Sequence, residues 1–169
     1  EEDPTKKLTR QEIIDNALIL IFAGSETSAS TLTNAMLFAG LHPTVWDKLV
    51  EEQAQIQAVH GDTLTPASLD ATNAPYLDAF LKETMRLRVI VGGIPRRTLK
   101  EIDVDGDGKM VIPKGYLVDP SMIMTHEEDP NVKLPDSMHL DPIQGFRPER
   151  WLGSEEHGKP DSDWYVPYG

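Results

Sequence analysis

Residues 18–27 read LILIFAGSET, an apolar run that ends in glycine, serine, glutamate and threonine. The run lies within a proline-free stretch that ends at Pro43, and Thr9 and Glu12 before it have the spacing of a capping box. This pattern predicts a helix that begins near Arg10 and continues for about 30 residues, or about 45 Å. A helix of that length suits the centre of a large α-rich protein.

The apolar side chains at residues 13–23 lie almost all round this helix, which predicts burial on most of its sides. Gly24 and Ser25 interrupt the run and are expected to weaken the helix locally. Glu26 and Thr27 follow, and a carboxylate is costly to bury unless it is paired. Two interpretations stay open: a polar notch that delivers protons to a bound ligand, or a solvated face where another helix crosses.

The remaining sequence predicts a mainly α protein with small β hairpins, an α+β class. Prolines at first-turn positions begin the later helices, because proline is tolerated there. We expect helices over 9–41, 43–59 and 75–88, short helices after Pro66 and Pro120, a β region over 94–118 with strands at 96–104, 109–112 and 116–118, and a structured coil over 129–169.

The charge and cysteine counts exclude several classes of protein. Lys and Arg number 16 against 28 Asp and Glu, a net charge of -12, whereas a nucleic-acid-binding protein needs a basic surface. The absence of cysteine excludes disulfides, zinc–thiolate sites and thiolate-ligated iron within these residues. The longest apolar run contains Asp15 and Asn16 and is too short and too polar to span a bilayer.

Two further groups of charged residues lie downstream. Glu83 and Arg86 are three apart on one face of a predicted helix and can pair, although most such pairs are exposed and contribute little. Arg150 lies beside Trp151 in predicted coil, where its planar guanidinium can reach a carboxylate. If Arg150 reaches Glu83, a three-membered network fastens the coil to the third helix; the alternative is a surface turn.

These patterns, in this order, resemble the cytochrome P450 family of haem-thiolate monooxygenases. The separations also fit, with 57 residues from Glu26 to Glu83 and 64 residues from Arg86 to Arg150. The resemblance covers nearly all 169 residues and implies the part of that fold from the oxygen-binding helix to the coil before the haem loop. Further matching stretches are Pro75-Tyr76-Leu77, Ile112-Pro113-Lys114-Gly115 and residues 126–142, which carry an insertion.

The resemblance implies roles in oxygen and haem binding for five residues. Gly24 would open the groove where dioxygen sits, and Glu26 and Thr27 would relay protons to the bound oxygen. Ala23 and Thr27 would face the cofactor, which would be haem b. Arg96, at the matching distance after the third helix, would pair with a haem propionate.

The resemblance also implies a structural network and a substrate pocket. Glu83, Arg86 and Arg150 would support the haem pocket. The substrate wall would be formed by Val91, Gly92, Gly93, Ile94 and Pro95. The glycine pair, where other members often carry prolines, is most similar to the retinoic-acid-hydroxylase and cyanobacterial branch.

Pro167-Tyr168-Gly169 resembles the first residues of the family's haem loop, which would place the ligand cysteine six residues beyond Gly169. The implied activity is hydroxylation of a lipophilic small molecule with O2 and electrons from a reductase or ferredoxin, in the class that acts on paired donors. The 169 residues alone are expected to be inactive. A eukaryotic parent would be anchored in the endoplasmic reticulum membrane upstream of Glu1, and a bacterial parent would be cytoplasmic.

Three other interpretations stay open. A non-catalytic paralogue would bind a partner instead of an oxidisable substrate. Residues 103–114 begin like a calcium-binding EF-hand loop, but Lys114 stands where a bidentate glutamate is needed, so a hairpin turn is favoured. His126-Glu127-Glu128 begins like a metal motif, but Pro130 stands where its second histidine is required.

Overall fold

The computed structural model describes residues 7–128 and 142–153, together with Tyr165 and Pro167. Within these residues the chain forms four α-helices, one 3-10 helix and two small antiparallel sheets, which confirms the mainly α class with small β hairpins. The helices are α1 Arg10–Leu41, α2 Pro43–His60, α3 Pro75–Leu87, α4 Met122–Glu128 and the 3-10 helix Pro148–Trp151. The strands are β1 Arg96–Arg97, β2 Ile102–Asp103, β3 Val111–Ile112 and β4 Leu117–Val118.

Helix α1 has the predicted capping box. Glu12 N donates to Thr9 Oγ1 at 3.2 Å, and Thr9 N donates to Glu12 Oε2 at 2.7 Å. Helix α1 continues through Gly24 and Ser25 as one helix of 32 residues, so these residues do not break it, and the expected local weakening stays a prediction. Hydroxyl groups in this region donate to carbonyls one turn back, which uses their hydrogen-bonding capacity without opening the backbone.

The predicted burial of the first half of α1 is also wrong for this chain. Leu20 is 72% exposed and Phe22 is 67% exposed, and the buried residues of α1 are Ala35, Phe38 and Ala39. The physical reason is that no element among the described residues packs on the apolar side chains of residues 13–22. An apolar pattern of this kind predicts burial correctly only where another part of the protein packs on the helix.

The core lies where the second half of α1 meets α2, α3 and the coil before the 3-10 helix. Phe38 is fully buried, and its ring stacks on Phe146 with centroids 4.5 Å apart. Phe80 meets Phe146 edge to face at 5.7 Å. Phe146 therefore joins the coil to α1 and α3.

The β region is smaller than predicted, because each strand has only two residues. Strand β1 pairs with β4 and β2 pairs with β3, both antiparallel. The turns lie where the glycines predict them: Gly106 and Gly115 have φ of 73° and 92°, a region that favours glycine.

The short helix predicted after Pro66 is wrong, because Pro66 begins a series of turns.

Two predicted segments lie largely outside the described residues. These are the stretch at 126–142, beyond its helical start in α4, and the last three residues, of which only Pro167 is described. Among the helices that the structure describes, none combines the length and apolar character that a membrane crossing requires.

Candidate functional site

A fully buried ion pair lies at the centre of the molecule. Glu83 and Arg86 are both 0% exposed, and Arg86 Nη2 and Nε donate to the two carboxylate oxygens of Glu83 at 2.8 and 2.9 Å. Arg150 Nε lies 3.5 Å from Glu83 Oε1 and is 5% exposed. The structure therefore brings together the three side chains that the sequence placed in one network.

Three further groups complete this network. Trp151 Nε1 donates to Glu83 Oε2, and the backbone N–H of Arg147 donates to Glu83 Oε1, both at 2.9 Å. Arg86 Nη2 also donates to the carbonyl of Gly145 at 2.9 Å. We call these residues the Glu83 network: Glu83, Arg86, Gly145, Arg147, Arg150 and Trp151.

Sequence reasoning missed the backbone donor and acceptor and the indole. Backbone contacts leave no signal in residue types, because any residue could supply them. Trp151 did carry a signal, since a tryptophan beside Arg150 offers an N–H donor that needs a partner when it is buried. The dense hydrogen bonding explains how an ionised pair can remain buried.

A second polar cluster fastens the 3-10 helix to α2 and α3. Glu149 accepts hydrogen bonds from Lys48 Nζ at 2.6 Å and from Tyr76 Oη at 2.8 Å. Burial disfavours the carboxylate, but these donors outweigh it and hold the pKa of Glu149 below its usual value. Burial and the contact with Glu149 raise the pKa of Tyr76. Glu52 accepts the backbone N–H groups of Tyr76 and Leu77 at the start of α3.

His126 joins α4 to the Glu83 network. Its side chain is fully buried, its Nδ1 lies 3.1 Å from the carbonyl of Arg86, and its ring stacks on Tyr165 at 5.6 Å. Burial lowers the pKa of His126. Among the described residues no three His, Cys, Asp or Glu side chains are grouped to hold a metal, which gives the His126 metal motif no support.

A cavity of about 450 Å³ opens between α1 and α3. Its lining is mostly apolar, with hydroxyl groups on the α1 side. The lining residues are Thr27, Ser28, Thr31 and Leu32 from α1, Leu81 and Met85 from α3, and Ile90, Val91 and Pro167. Thr27 and Val91, which the sequence placed in two different roles, therefore line one space.

The other residues that the sequence placed on α1 stand apart from this lining. Glu26 is exposed, and Ala23 contributes its carbonyl, which accepts the hydroxyl of Thr27 at 2.7 Å. Gly24 has open space where a side chain would stand, with no atom within 4 Å. The structure thus brings Thr27 alone of these four residues to the cavity.

The segment after α3 divides in the same way. Val91 lines the cavity, whereas Gly92 and Gly93 turn towards α4: the carbonyl of Gly92 accepts Met122 N at 3.0 Å, and Gly93 forms a β-bridge with Ser121. Ile94 and Pro95 lead into β1 and do not line the cavity. The sequence missed the wall residues Leu81 and Met85, whose apolar character also fits an ordinary core.

Arg96 is exposed at the start of β1. Its Nη1 donates to the carbonyls of Ile94 and Pro95 at 3.4 and 3.3 Å, and none of the described ion pairs involves it. A guanidinium placed in this way has N–H donors to offer to an acid group.

The loop that resembles the start of a calcium site is closed on itself. Asp103 accepts the backbone N–H groups of Gly106 and Gly108 at 3.1 and 3.0 Å, and Asp107 pairs with Lys109 at 2.6 Å. The loop joins β2 to β3, so it is the turn of a hairpin, as the sequence favoured.

Comparison with known proteins gives one family. The model of the family described as Cytochrome P450 matches residues 1–169. Cytochrome P450 3A2 of Rattus norvegicus is 34% identical over 170 residues, covering 100% of this chain and 31% of that protein. Cytochrome P450 120 of Synechocystis sp. is 34% identical over 168 residues, covering 99% of this chain and 34% of that protein.

A solved structure gives the same result at the level of the fold. The retinoic acid bound cyanobacterial CYP120A1 superposes with a TM-score of 0.79 at 30% identity, covering 100% of this chain and 36% of that chain. The cyanobacterial similarity expected from Gly92-Gly93 is therefore present, although the rat protein is as similar in sequence. The chain spans about a third of the length of the relatives it matches.

Proposed function

The chain belongs to the cytochrome P450 family. We propose that it forms about a third of a haem-dependent monooxygenase, and that this third contains the Glu83 network and part of the lining of the active-site cavity. The proposed reaction inserts one oxygen atom of O2 into a C–H bond of a lipophilic small molecule. The other oxygen atom leaves as water, which takes up two protons and two electrons from a reductase or a ferredoxin. The observation that carries this proposal is the cavity between α1 and α3, with the Thr27 hydroxyl on one wall and Val91 on the other.

Haem is the cofactor of this family, and two features of the chain fit it. The apolar lining with small and hydroxyl-bearing residues on α1 suits the face of a macrocycle, and the exposed guanidinium of Arg96 suits a propionate. The iron ligand is not among these residues, because the 169 residues include no cysteine. When bound, the haem would supply oxygen activation, which a thiolate ligand favours.

Within this arrangement the chain's own residues would bind, orient and move protons. Ile90, Val91 and Leu81 would exclude water from the cavity and hold a lipophilic molecule by apolar contact. The hydroxyl of Thr27 donates to the carbonyl of Ala23 at 2.7 Å, so its oxygen can accept a hydrogen bond from a water molecule in the cavity and hold that water in place. If the hydroxyl turns away from Ala23, it can donate its proton into the cavity as it takes one from that water. Glu26 is exposed one residue before it and would exchange protons with solvent.

The proton relay is tested by Thr27→Ala in the whole protein that contains this chain. Loss of the hydroxyl should lower the amount of hydroxylated product per O2 consumed while O2 consumption continues, because protons no longer arrive in order. Ser28→Ala, which removes a neighbouring cavity hydroxyl, is the matched control. Equal coupling in both variants would contradict the role of Thr27.

The reaction class is tested with isotopically labelled O2 and two lipophilic probes, retinoic acid and dodecanoic acid, in the presence of a reductase. Retinoic acid is chosen because the structural relative is bound to it. We expect a product that carries one labelled oxygen atom from at least one probe. Probe binding without any oxygenated product, in a protein that holds haem and accepts electrons, would favour the non-catalytic binding paralogue instead.

A further inference from the structure

The cavity wall formed by Ile90 and Val91 is attached to the start of α4. The residue that follows, Gly92, accepts the backbone N–H of Met122 at 3.0 Å, and Gly93 pairs with Ser121 in an antiparallel bridge. Ser121 and Met122 thus hold two successive residues immediately after the two that line the cavity. The wall has little freedom to move while these bonds are present.

Close packing reinforces this attachment. A methyl group on Gly93 would stand 2.9 Å from Cγ of Asp119, closer than real side chains approach. A methyl group on Gly92 would meet Cδ1 of Ile123 at 3.4 Å, which is ordinary contact. The glycine pair therefore lets the wall segment lie directly against residues 119–123, and a side chain at Gly93 would require the exposed carboxylate of Asp119 to turn away.

Helix α4 is itself fixed to the centre of the molecule. Met122 is only 4% exposed, and His126 is fully buried with its Nδ1 3.1 Å from the carbonyl of Arg86. Arg86 belongs to the Glu83 network, so His126 ties the position of α4 to that network. A displacement at Gly92 would consequently move Val91 relative to a cavity whose other walls stay in place.

We infer that the backbone N–H of Met122 is a positioning group for the cavity: by holding the carbonyl of Gly92, it fixes where Val91 stands and so which shapes of lipophilic molecule are admitted. This inference rests on the proposed function, because it assigns specificity to the same cavity. Met122 itself does not line the cavity, so it acts through Gly92.

The chain permits a variant that breaks this bond. Met122 is the first residue of α4, a position where proline is tolerated because its missing N–H makes no bond within the helix. Met122→Pro therefore replaces the N–H that reaches Gly92 with the ring carbon Cδ, which displaces the Gly92 carbonyl, and it leaves the helix able to form. Met122→Ala is the matched control, because it also removes the buried side chain but keeps the N–H.

The experiment compares the two variants in the whole protein by two readouts. The first is the ratio of the dissociation constants of retinoic acid and dodecanoic acid, from titration of the haem spectrum. We expect Met122→Pro to change this ratio about tenfold relative to Met122→Ala, the size of effect that a small change in an apolar pocket produces. The second is hydrogen exchange of a peptide over residues 89–95, which should be faster in Met122→Pro than in Met122→Ala.

Equal ratios and equal exchange in the two variants would overturn the inference while leaving the proposed function intact. If the wild-type protein holds no haem, the proposed function fails, and the exchange comparison still decides whether Met122 holds the wall. If Met122→Pro does not fold, hydrogen exchange at the Met122 amide of the wild type replaces the comparison. An amide at the first position of a helix has no partner within the helix, so its bond to Gly92 predicts slow exchange; fast exchange at this amide would overturn the inference.

Discussion

The Glu83 network and the first half of α1 differ in whether the described residues supply their partners: the network has its hydrogen-bonding groups, whereas the apolar side chains of α1 have no covering surface. In the network, the charged side chains of Glu83 and Arg86 are fully buried, and every contact described above comes from within the described residues. On α1, side chains such as Leu20 and Phe22 are apolar and yet about two thirds exposed or more. Distance along the sequence therefore does not decide whether a feature finds its partners within the chain, since the network joins residues more than 60 positions apart.

The physical reason lies in the two kinds of interaction. A buried carboxylate is stable only if its specific donors are present, so its burial in this chain requires those donors to lie in the chain as well. An apolar surface needs only some apolar partner, and any packed polypeptide can supply it. We therefore expect the network to depend on single residues, and the burial of α1 to depend on an apolar surface from outside the described residues.

The largest expected effect is that of Glu83→Ala. Removing the carboxylate leaves Arg86 buried and without its counter-charge, which should lower the free energy of unfolding by about 3–5 kcal/mol. The same variant should incorporate little haem. Urea denaturation and haem content of the whole protein give both quantities, with the exposed carboxylate variant Glu51→Ala as the control. Normal haem content in Glu83→Ala would show that the network does not support the pocket.

Leu20→Ser tests the other side of the comparison. If another part of the whole protein covers α1, loss of this side chain should cost about 1.5–3 kcal/mol of unfolding free energy. If Leu20 stays exposed there, as it is in this chain at 72%, the cost should be within about 0.5 kcal/mol. Urea denaturation of the whole protein distinguishes the two, and the smaller value would contradict the expected cover.

Trp151→Phe sharpens the account of the network. The substitution keeps an aromatic ring but removes the N–H that Glu83 accepts at 2.9 Å, so we expect a loss of about 1–3 kcal/mol. In the double variant Glu83→Gln with Trp151→Phe, the loss of unfolding free energy should be smaller than the sum of the losses in the two single variants, because both substitutions weaken the same contact. Additive losses would place Trp151 outside the network.

The smallest effect is the dependence of stability on pH through His126. Burial lowers the pKa of this histidine in the folded protein, so the unfolded chain binds a proton more readily. Stability should therefore be fully present above the unfolded pKa of about 6.5 and should fall as the pH drops below it, by at most about 1.4 kcal/mol per pH unit. Denaturation midpoints of the wild type and His126→Gln at several pH values measure this, and an equal slope in the variant would contradict it.

Sequence patterns predicted the helices well because each carries local signals. The capping box at Thr9 and the prolines at Pro43 and Pro75 lie where α1, α2 and α3 begin. The strand lengths were overestimated, because two-residue pairings depend on partner position and not on residue type. Burial along α1 was predicted from pattern alone, and pattern does not say whether the covering surface belongs to the same stretch of chain.

The site was predictable where side chains carry it and not where the backbone does. Glu83, Arg86 and Arg150 were identified because charged residues in ordered patterns are informative. The donors at Arg147 and Met122 and the acceptor at Gly145 are backbone groups, which leave no trace in the sequence. The functions assigned to Glu26, Gly24 and Arg96 come from the family resemblance and stay predictions.

The central claim is that this chain forms part of a haem-thiolate enzyme whose pocket is held by the Glu83 network. The most direct test is the absorption spectrum of the whole protein after reduction and addition of carbon monoxide, measured in the wild type and in Glu83→Ala. We predict the Soret band typical of thiolate-ligated haem in the wild type and its loss in the variant. A wild type without that band, or a variant that retains it at full intensity, would contradict the account.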